Sequence, residues 1–478
     1  MAGPIGGAVD GARAVLANLR ETLGGTLGGE RTLRLGVTGL SRAGKTVFIA
    51  ALVHALTEGG ALPAFRAHSG GRITRVRLAP QPDADVPRFQ VEEHIDAIAR
   101  ERRWPSSTRA IAQVRLVVEY EDRRGRARRL ALDIVDYPGE WLLDLPLLTM
   151  DFRAFSREAS ELSALPLRAP LAAEWLALAR SLDPTRPADE TRIEALHAAY
   201  ARYLRRCREE ERALSSLPPG RFLMPGDLDG SPAMTFAPLP DLPERAPRGS
   251  LAATMAARYE AYLDVVVRPF FRDHFARLDR QVVLVDVLQA LNAGPESVAD
   301  LRRALGGILS GFHTGRLNPL ARVFARRIDR VVLCATKADH LHRDDHDRLE
   351  AVVAALAADA FDARGAREVG LARAALAAVR ATREARGEGP DPLPLIVGTP
   401  MEGERIDGRS FDGTTQTAIF PGDLPRDPRA VLREDLSGSI RFVRFRPPAL
   451  ERGPDGALRM PHIRLDRVLE HVLGDRLE

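Results

Sequence analysis

GLSRAGKT, residues 39–46, decides how this chain is read. It follows the short apolar alternation Leu33, Leu35, Val37 and opens the run VFIAALVHAL, so it joins a predicted strand to a predicted helix. The stretch fits the phosphate-binding loop G-x-x-x-x-G-K-[ST], whose glycines let successive backbone N–H groups turn inward around phosphates while the helix N-terminus adds its positive end. In such a loop Lys45 reaches the β- and γ-phosphates and the Thr46 hydroxyl holds Mg²⁺. Gly39, Ser41, Arg42, Ala43, Gly44 and Val47 complete the expected nucleotide-binding loop.

Lysine usage adds an independent argument. Only two of the 69 basic Lys and Arg residues are lysines, Lys45 and Lys337. The sequence uses arginine almost everywhere a cation will do, so these two positions should need a compact ammonium on a flexible stem where a planar guanidinium fails. Lys45 lies in the phosphate loop. Lys337 lies in Thr336-Lys337-Ala338-Asp339, directly after the buried-strand run RVVLCA (330–335), where a GTPase carries its base-recognition motif. A carboxylate at Asp339 can accept hydrogen bonds from the N1–H and exocyclic amine of guanine, which adenine cannot offer, and the lysine stem can pack on the purine.

The chain has 478 residues, 45% hydrophobic and 5% aromatic, enough for a sizeable core built mainly from Ala, Leu and Val. Its formal net charge of +4 is small for this length, and no basic stripe interleaved with aromatics is present, so nucleic acid is not an expected partner. The two cysteines, Cys207 and Cys334, form neither a disulfide framework nor a metal-ligand pattern. No uncharged apolar run reaches the length of a membrane span. A soluble cytoplasmic protein is expected, of bacterial origin on its arginine and alanine bias.

Taken in order, residues 9–23 read as an amphipathic helix within an N-terminal segment 1–30. After the phosphate loop, an insert with a strand-like stretch at 72–78 and a helix at 89–99 ends in WPSST (104–108). A GTPase needs a hydroxyl on a mobile loop here to close on Mg²⁺, and Thr108 is the candidate. Two strand patterns, 112–120 and 130–136, form a hairpin that runs into Asp136-Tyr137-Pro138-Gly139, a D-x-x-G sequence. There Asp136 can hold the hydration shell of Mg²⁺ and the Gly139 N–H can sense the γ-phosphate. Asp133 is a rival carboxylate, read as lying on the same strand face. Glu140 follows the glycine, at the position of a water-orienting side chain, with a surface helix-capping carboxylate as the alternative.

From 141 to 280 the pattern is helical, with Pro-rich connections and a long segment near 250–278 that Pro269 is expected to kink. Strand 281–286, a helix over 296–310 and strand 330–335 restore the α/β pattern. The second half of 371–382 is read as the last parallel strand, with a helix as the alternative for this small-residue run, and Arg380, Ala381 and Thr382 as the loop that touches the guanine O6. A strand at 393–398, a strand-like RFVRF (441–445) and an amphipathic helix over 463–477 complete the chain. The expected fold is a doubly wound α/β P-loop NTPase core of the GTPase type, over 31–140 and 281–478 including a C-terminal extension, with an all-helical insertion at 141–280.

DYPGEWLLDL (136–145), VLVDVLQALNAGP (283–295) and TKADHL (336–341) together resemble the bacterial YcjX family of P-loop proteins, stress-associated GTPases of poorly defined role. The resemblance covers most of the chain. It implies a GTPase core with a helical insert, binding of GTP and GDP with Mg²⁺, and a membrane-protein partner that would hold the protein peripherally at the inner membrane. A nucleotide-dependent dimer is a further expected partner. The phosphate loop itself is similar to those of the guanylate-binding proteins and atlastins in carrying an arginine at Arg42, which implies an arginine finger in cis. Two other readings stay open: a nucleotide-gated scaffold with negligible turnover, and an ATP-using P-loop enzyme.

Overall fold

In the computed structural model the described residues are 31–478 except 41, 107–109, 210–213, 229, 312–327, 361–369, 389, 391 and 454–455. The helix expected at 9–23, and the candidates Ser41 and Thr108, lie outside them. Leu33, Leu35 and Val37 alternate along β1 (Arg31–Gly39) and all are buried, which puts this strand in the middle of a sheet. Among the described residues that sheet has seven strands in the order β2-β3-β4-β1-β5-β6-β7, with β2 Ile73–Ala79, β3 Ala112–Glu121, β4 Ala127–Asp136, β5 Arg280–Val285, β6 Arg330–Thr336 and β7 Leu371–Leu376. β4, β1, β5, β6 and β7 are parallel, and β2 and β3 run as antiparallel neighbours at one edge. The order reverses beside β1, where α/β sheets of this kind open a crevice outside the strands' carboxyl ends.

Side chains alternate along each strand, so the sheet carries two apolar faces. Leu35, Leu132, Val282, Val332 and Ala374 share one cluster with α1 (Lys45–Thr57), α2 (Val91–Ala99) and the closing α11 (Leu465–Leu473). Val135, Val283, Leu333 and Ala375 share the other with a run of helices. These are α3 (Phe152–Ser163), α4 (Ala169–Arg180), α5 (Glu190–Cys207), α6 (Leu251–Tyr262), α7 (Arg268–Asp273), α8 (Val287–Ala293), α9 (Pro295–Gly311) and α10 (His346–Leu356). The helices between β4 and β5 thus pack on the sheet through one continuous apolar cluster. Their starts are marked by capping side chains: Asp151, Asp189 and Ser250 accept from the N–H groups of Ala154, Arg192 and Ala253. Pro269 sits in the first turn of α7, just after a π turn at Leu263–Val267 that absorbs its missing N–H.

Four sequence readings change. Asp133 and Asp136 are three residues apart and so face opposite sides of the sheet; Asp133 pairs with Arg115 across β3 and β4 at 2.6 and 2.7 Å. The last parallel strand is the first half of 371–382, because β7 pairs with β6 only from Leu371 to Leu376. Beyond it the Ala377 and Arg380 N–H groups donate to Ile463 and Pro461, which draws the second half towards α11. Residues 441–445 form no strand but a single bridge, Pro400 with Phe445, where Pro400 on the partner and Pro447 and Pro448 just beyond lack N–H donors to extend a ladder. α8, directly after β5, has no counterpart in the sequence reading.

One buried ion pair ties the helices together. Arg168 meets Asp300 of α9 at 2.6 Å, both side chains are 2% exposed, and Asp300 also accepts from the Ser215 and Ser216 N–H groups at 2.6 and 2.9 Å. Removing one partner strands the other in an apolar site, so Asp300→Ala is expected to destabilise the fold by about 3–5 kcal/mol, read as a lowered thermal midpoint. A variant melting like the parent would show that Arg168 finds water instead.

Candidate functional site

The loop between β1 and α1 is shaped by two left-handed residues, Arg42 at φ 64° and Gly44 at φ 88°. Gly44 tolerates this freely, whereas an arginine there costs conformational energy and indicates that the loop dictates the backbone. Gly39 has no room for a side chain, since a Cβ would lie 2.8 Å from the Leu284 carbonyl oxygen and 3.0 Å from the Ala43 Cβ. The first N–H groups of a helix point out of its N-terminus and favour an anion, and α1 begins at this loop. Lys45 starts the helix and Thr46 comes next, buried in the first turn.

The D-x-x-G turn closes against this loop. A Cβ on Gly139 would sit 1.8 Å from the Gly39 carbonyl oxygen, so only glycine lets the two turns touch. Asp136, buried at the end of β4, is the sheet partner of Val37 in β1, two residues before Gly39. Glu140 is neither exposed nor a helix cap: it is buried and ion-paired with Arg208, just past α5, at 2.9 Å. Residues Gly139–Thr149 continue as a 3-10 helix held from the same side. The buried Asp144 accepts from the Gly220 N–H at 2.7 Å and the Tyr262 hydroxyl at 2.6 Å, and desolvation pushes its carboxyl up to about 6. Arg221 lies over the Trp141 ring, 3.1 Å from its centroid.

At the other end Lys337, in a left-handed turn at φ 59°, pairs with Asp286, which also caps α8. The Thr336 hydroxyl donates to the Val285 carbonyl at 3.2 Å, tying β6 to β5 at their ends. Asp339 is buried, accepts from the Ala381 N–H at 2.8 Å, and is pushed by desolvation up to about 6. The Thr382 hydroxyl donates to the Asp339 carbonyl, and Arg380 pairs with Glu384. Ala381 and Thr382 therefore brace Asp339, and the residues just past β7 on the cavity wall are Ala377, Ala378 and Val379. The shift has the same origin as the misplaced strand.

One cavity of about 380 Å³ runs between these ends. Arg42, Ala43, Gly44, Lys45, Thr46 and Val47 line it together with Glu140, Thr336, Lys337 and Asp339. Gly39, Asp136 and Gly139 are not among the residues that line it. Several lining residues escaped the sequence reading: Trp104, Met224, His340, Met401, Arg444 and Phe445. The Trp104 indole donates to the Phe445 carbonyl at 2.7 Å, joining the insert to the C-terminal extension. His340 stacks on Phe442 with ring centroids 5.1 Å apart, and burial pushes its imidazole down to about 3, so it is neutral. Its place within TKADHL and that of Trp104 in WPSST pointed to the site; the others carry no local signal.

Residues 33–477 match the model of the YcjX-like family, DUF463. The chain is 36% identical over 471 residues to a protein of Escherichia coli K12 named Ras-like GTPase YcjX, covering 94% of this chain and 97% of that one. It is 32% identical over 475 residues to a protein of the same name from Shewanella oneidensis, covering 94% and 95%. With a phosphate loop, a D-x-x-G turn and a TKAD turn arranged in order around one sheet, the chain belongs to the YcjX-like family.

Proposed function

We propose that this chain binds GTP and GDP and hydrolyses GTP to GDP and phosphate with Mg²⁺, as a stress-related regulatory GTPase whose core spans 31–140 and 281–478 and whose helical insertion spans 141–280. The observation that carries the reading is that a single cavity has the phosphate-loop residues at one end and the buried Asp339 carboxylate with Lys337 at the other. That pairing matches a purine nucleotide with the base read by an acceptor, which favours guanine over adenine. The stress role, and any membrane-protein partner, rest on the family likeness alone. Among the described residues no helix is long and apolar enough to cross a membrane.

The Thr46 hydroxyl and the Asp136 carboxylate are oxygen donors of the kind a nucleotide-bound magnesium ion takes, and they would hold it there. When bound, the ion neutralises charge on the β- and γ-phosphates. The chain's own part is positioning: Lys45 and the loop N–H groups hold the phosphates, Glu140 orients water in line with the γ-phosphate, and Asp339 fixes the base. Calorimetric binding of GDP, GTP and ADP, with and without Mg²⁺, tests the reading. ADP binding as tightly as GDP would refute it. A phosphate-release assay separates hydrolysis from a nucleotide-gated scaffold with negligible turnover.

Arg42 projects from the loop, is exposed, and lines the cavity. As a finger in cis it would neutralise charge that develops only as the γ-phosphoryl leaves, an effect worth roughly 10³ to 10⁵ in rate where complete. Arg42→Ala is therefore expected to lower turnover by about tenfold or more with GDP affinity little changed. Unchanged turnover, or an equal loss of GDP binding, would remove it from that role.

A further inference from the structure

The Arg208–Glu140 pair solves a charge problem that the sequence poses, and the solution comes from a helix remote in the chain. A carboxylate after the D-x-x-G glycine can accept from water, but alone it brings negative charge towards an already anionic transition state. In the structure Glu140 is on the cavity wall, buried, with the Arg208 guanidinium 2.9 Å from its carboxylate oxygen. Arg208 also borders, with Arg42, Asp286 and Gln289, a recess beside the phosphate loop. The helical segment fixes the same residue a second time, through its backbone: a Cβ on Gly220 would lie 1.8 Å from the Glu140 carbonyl oxygen. Glu140 is thus met at its side chain and its main chain by residues 68 and 80 positions away, respectively.

We infer that Arg208 is a positioning residue for GTP hydrolysis, neutralising Glu140 so that its carboxylate orients water without net negative charge at the γ-phosphate. The role rests on the GTPase reading. A carboxylate has about four acceptor sites, more than one guanidinium occupies, so the paired group can still accept from water. The pair then resembles a neutral amide in charge while keeping a carboxylate's acceptor strength. Because Arg208 stands at the end of α5, any displacement of that helix would bare the charge on Glu140 and slow turnover. Hydrolysis is thereby made dependent on the docked helical segment.

Charge compensation predicts a sign reversal that a simple structural staple does not. The measurements are phosphate release from Mg²⁺-GTP and GDP affinity, in the full chain and three variants. Arg208→Gln should lower kcat by about tenfold or more, with GDP affinity within about twofold of the parent. Glu140→Gln should slow the parent, yet the same change made in Arg208→Gln should raise turnover by about threefold or more, because it removes the uncompensated anion. A double variant as slow as Arg208→Gln, or an Arg208→Gln variant with parental turnover, overturns the role. Should Arg208→Gln prove too unstable to purify, the double variant is compared with Glu140→Gln: a difference under about threefold supports the role and tenfold overturns it. A parent protein that binds no GDP and releases no phosphate refutes the GTPase reading itself, a result distinct from either of these.

Discussion

Lys45→Ala is expected to abolish measurable GDP and GTP binding in calorimetry while leaving the thermal midpoint of the nucleotide-free protein in place. Lys45 begins α1 directly after the left-handed Gly44, where its stem can reach back over the loop. Its ammonium would meet the β- and γ-phosphates inside the cavity, where truncating one member of a close charge pair costs roughly 2–5 kcal/mol, a loss of about 30-fold to several thousandfold. The more searching variant is Lys45→Arg. A guanidinium keeps the charge but is planar, branched and rigid, so it cannot occupy the centre of a loop of inward N–H groups. An affinity loss of about tenfold or more is expected, and parental affinity in the arginine variant would defeat the argument from lysine scarcity. Since 67 other positions show how freely this chain adopts arginine, that result would leave both lysines unexplained.

The features legible in the sequence were those whose cause is local. β1, the loop and α1 arise from alternating Leu33, Leu35 and Val37, two glycines and a helix-forming run. The hairpin of β3 and β4 arises from period-two patterns around a charged turn, and TKAD is recognisable because it ends a buried strand. The misreadings share a different cause. In 371–382 the residues are so small and uniform that no period separates the strand from the loop beyond it; the β6 register and the contact of Ala377 with Ile463 decide the matter, and neither is local. Asp133 and Asp136 could have been separated by parity alone. The partner of Glu140 could not, because Arg208 is one of many arginines and nothing near it in sequence marks it. Phe445 on the cavity wall, and Phe442 stacked on His340, are of the same kind, brought there by the fold of the extension.

Asp339→Asn is expected to turn the protein from guanine towards xanthine nucleotides. The carboxylate accepts at two oxygens, which suits the N1–H and exocyclic amine of guanine, while an amide offers one donor and one acceptor and suits xanthine. A buried site built for one hydrogen-bond pattern rejects the mismatched one strongly, by up to about 10⁴ in favourable cases, and a loss of GDP affinity of order 10²-fold or more is expected with a gain for xanthosine diphosphate. The same carboxyl gives a pH signature. Burial pushes Asp339 up to about 6, so below that pH it is protonated before nucleotide arrives and can no longer accept both bonds. GDP affinity should therefore hold above pH 6 and weaken below it, by up to about tenfold per pH unit. His340, pushed down to about 3 by burial, stays neutral through that window and contributes nothing to the slope. The phosphates of GDP titrate near the same range, so the decisive comparison is between the parent and Asp339→Asn, in which the phosphate contribution persists and the carboxyl contribution is lost. Equal pH slopes in the two proteins, or unchanged discrimination between GDP and xanthosine diphosphate, would mean that Asp339 does not read the base.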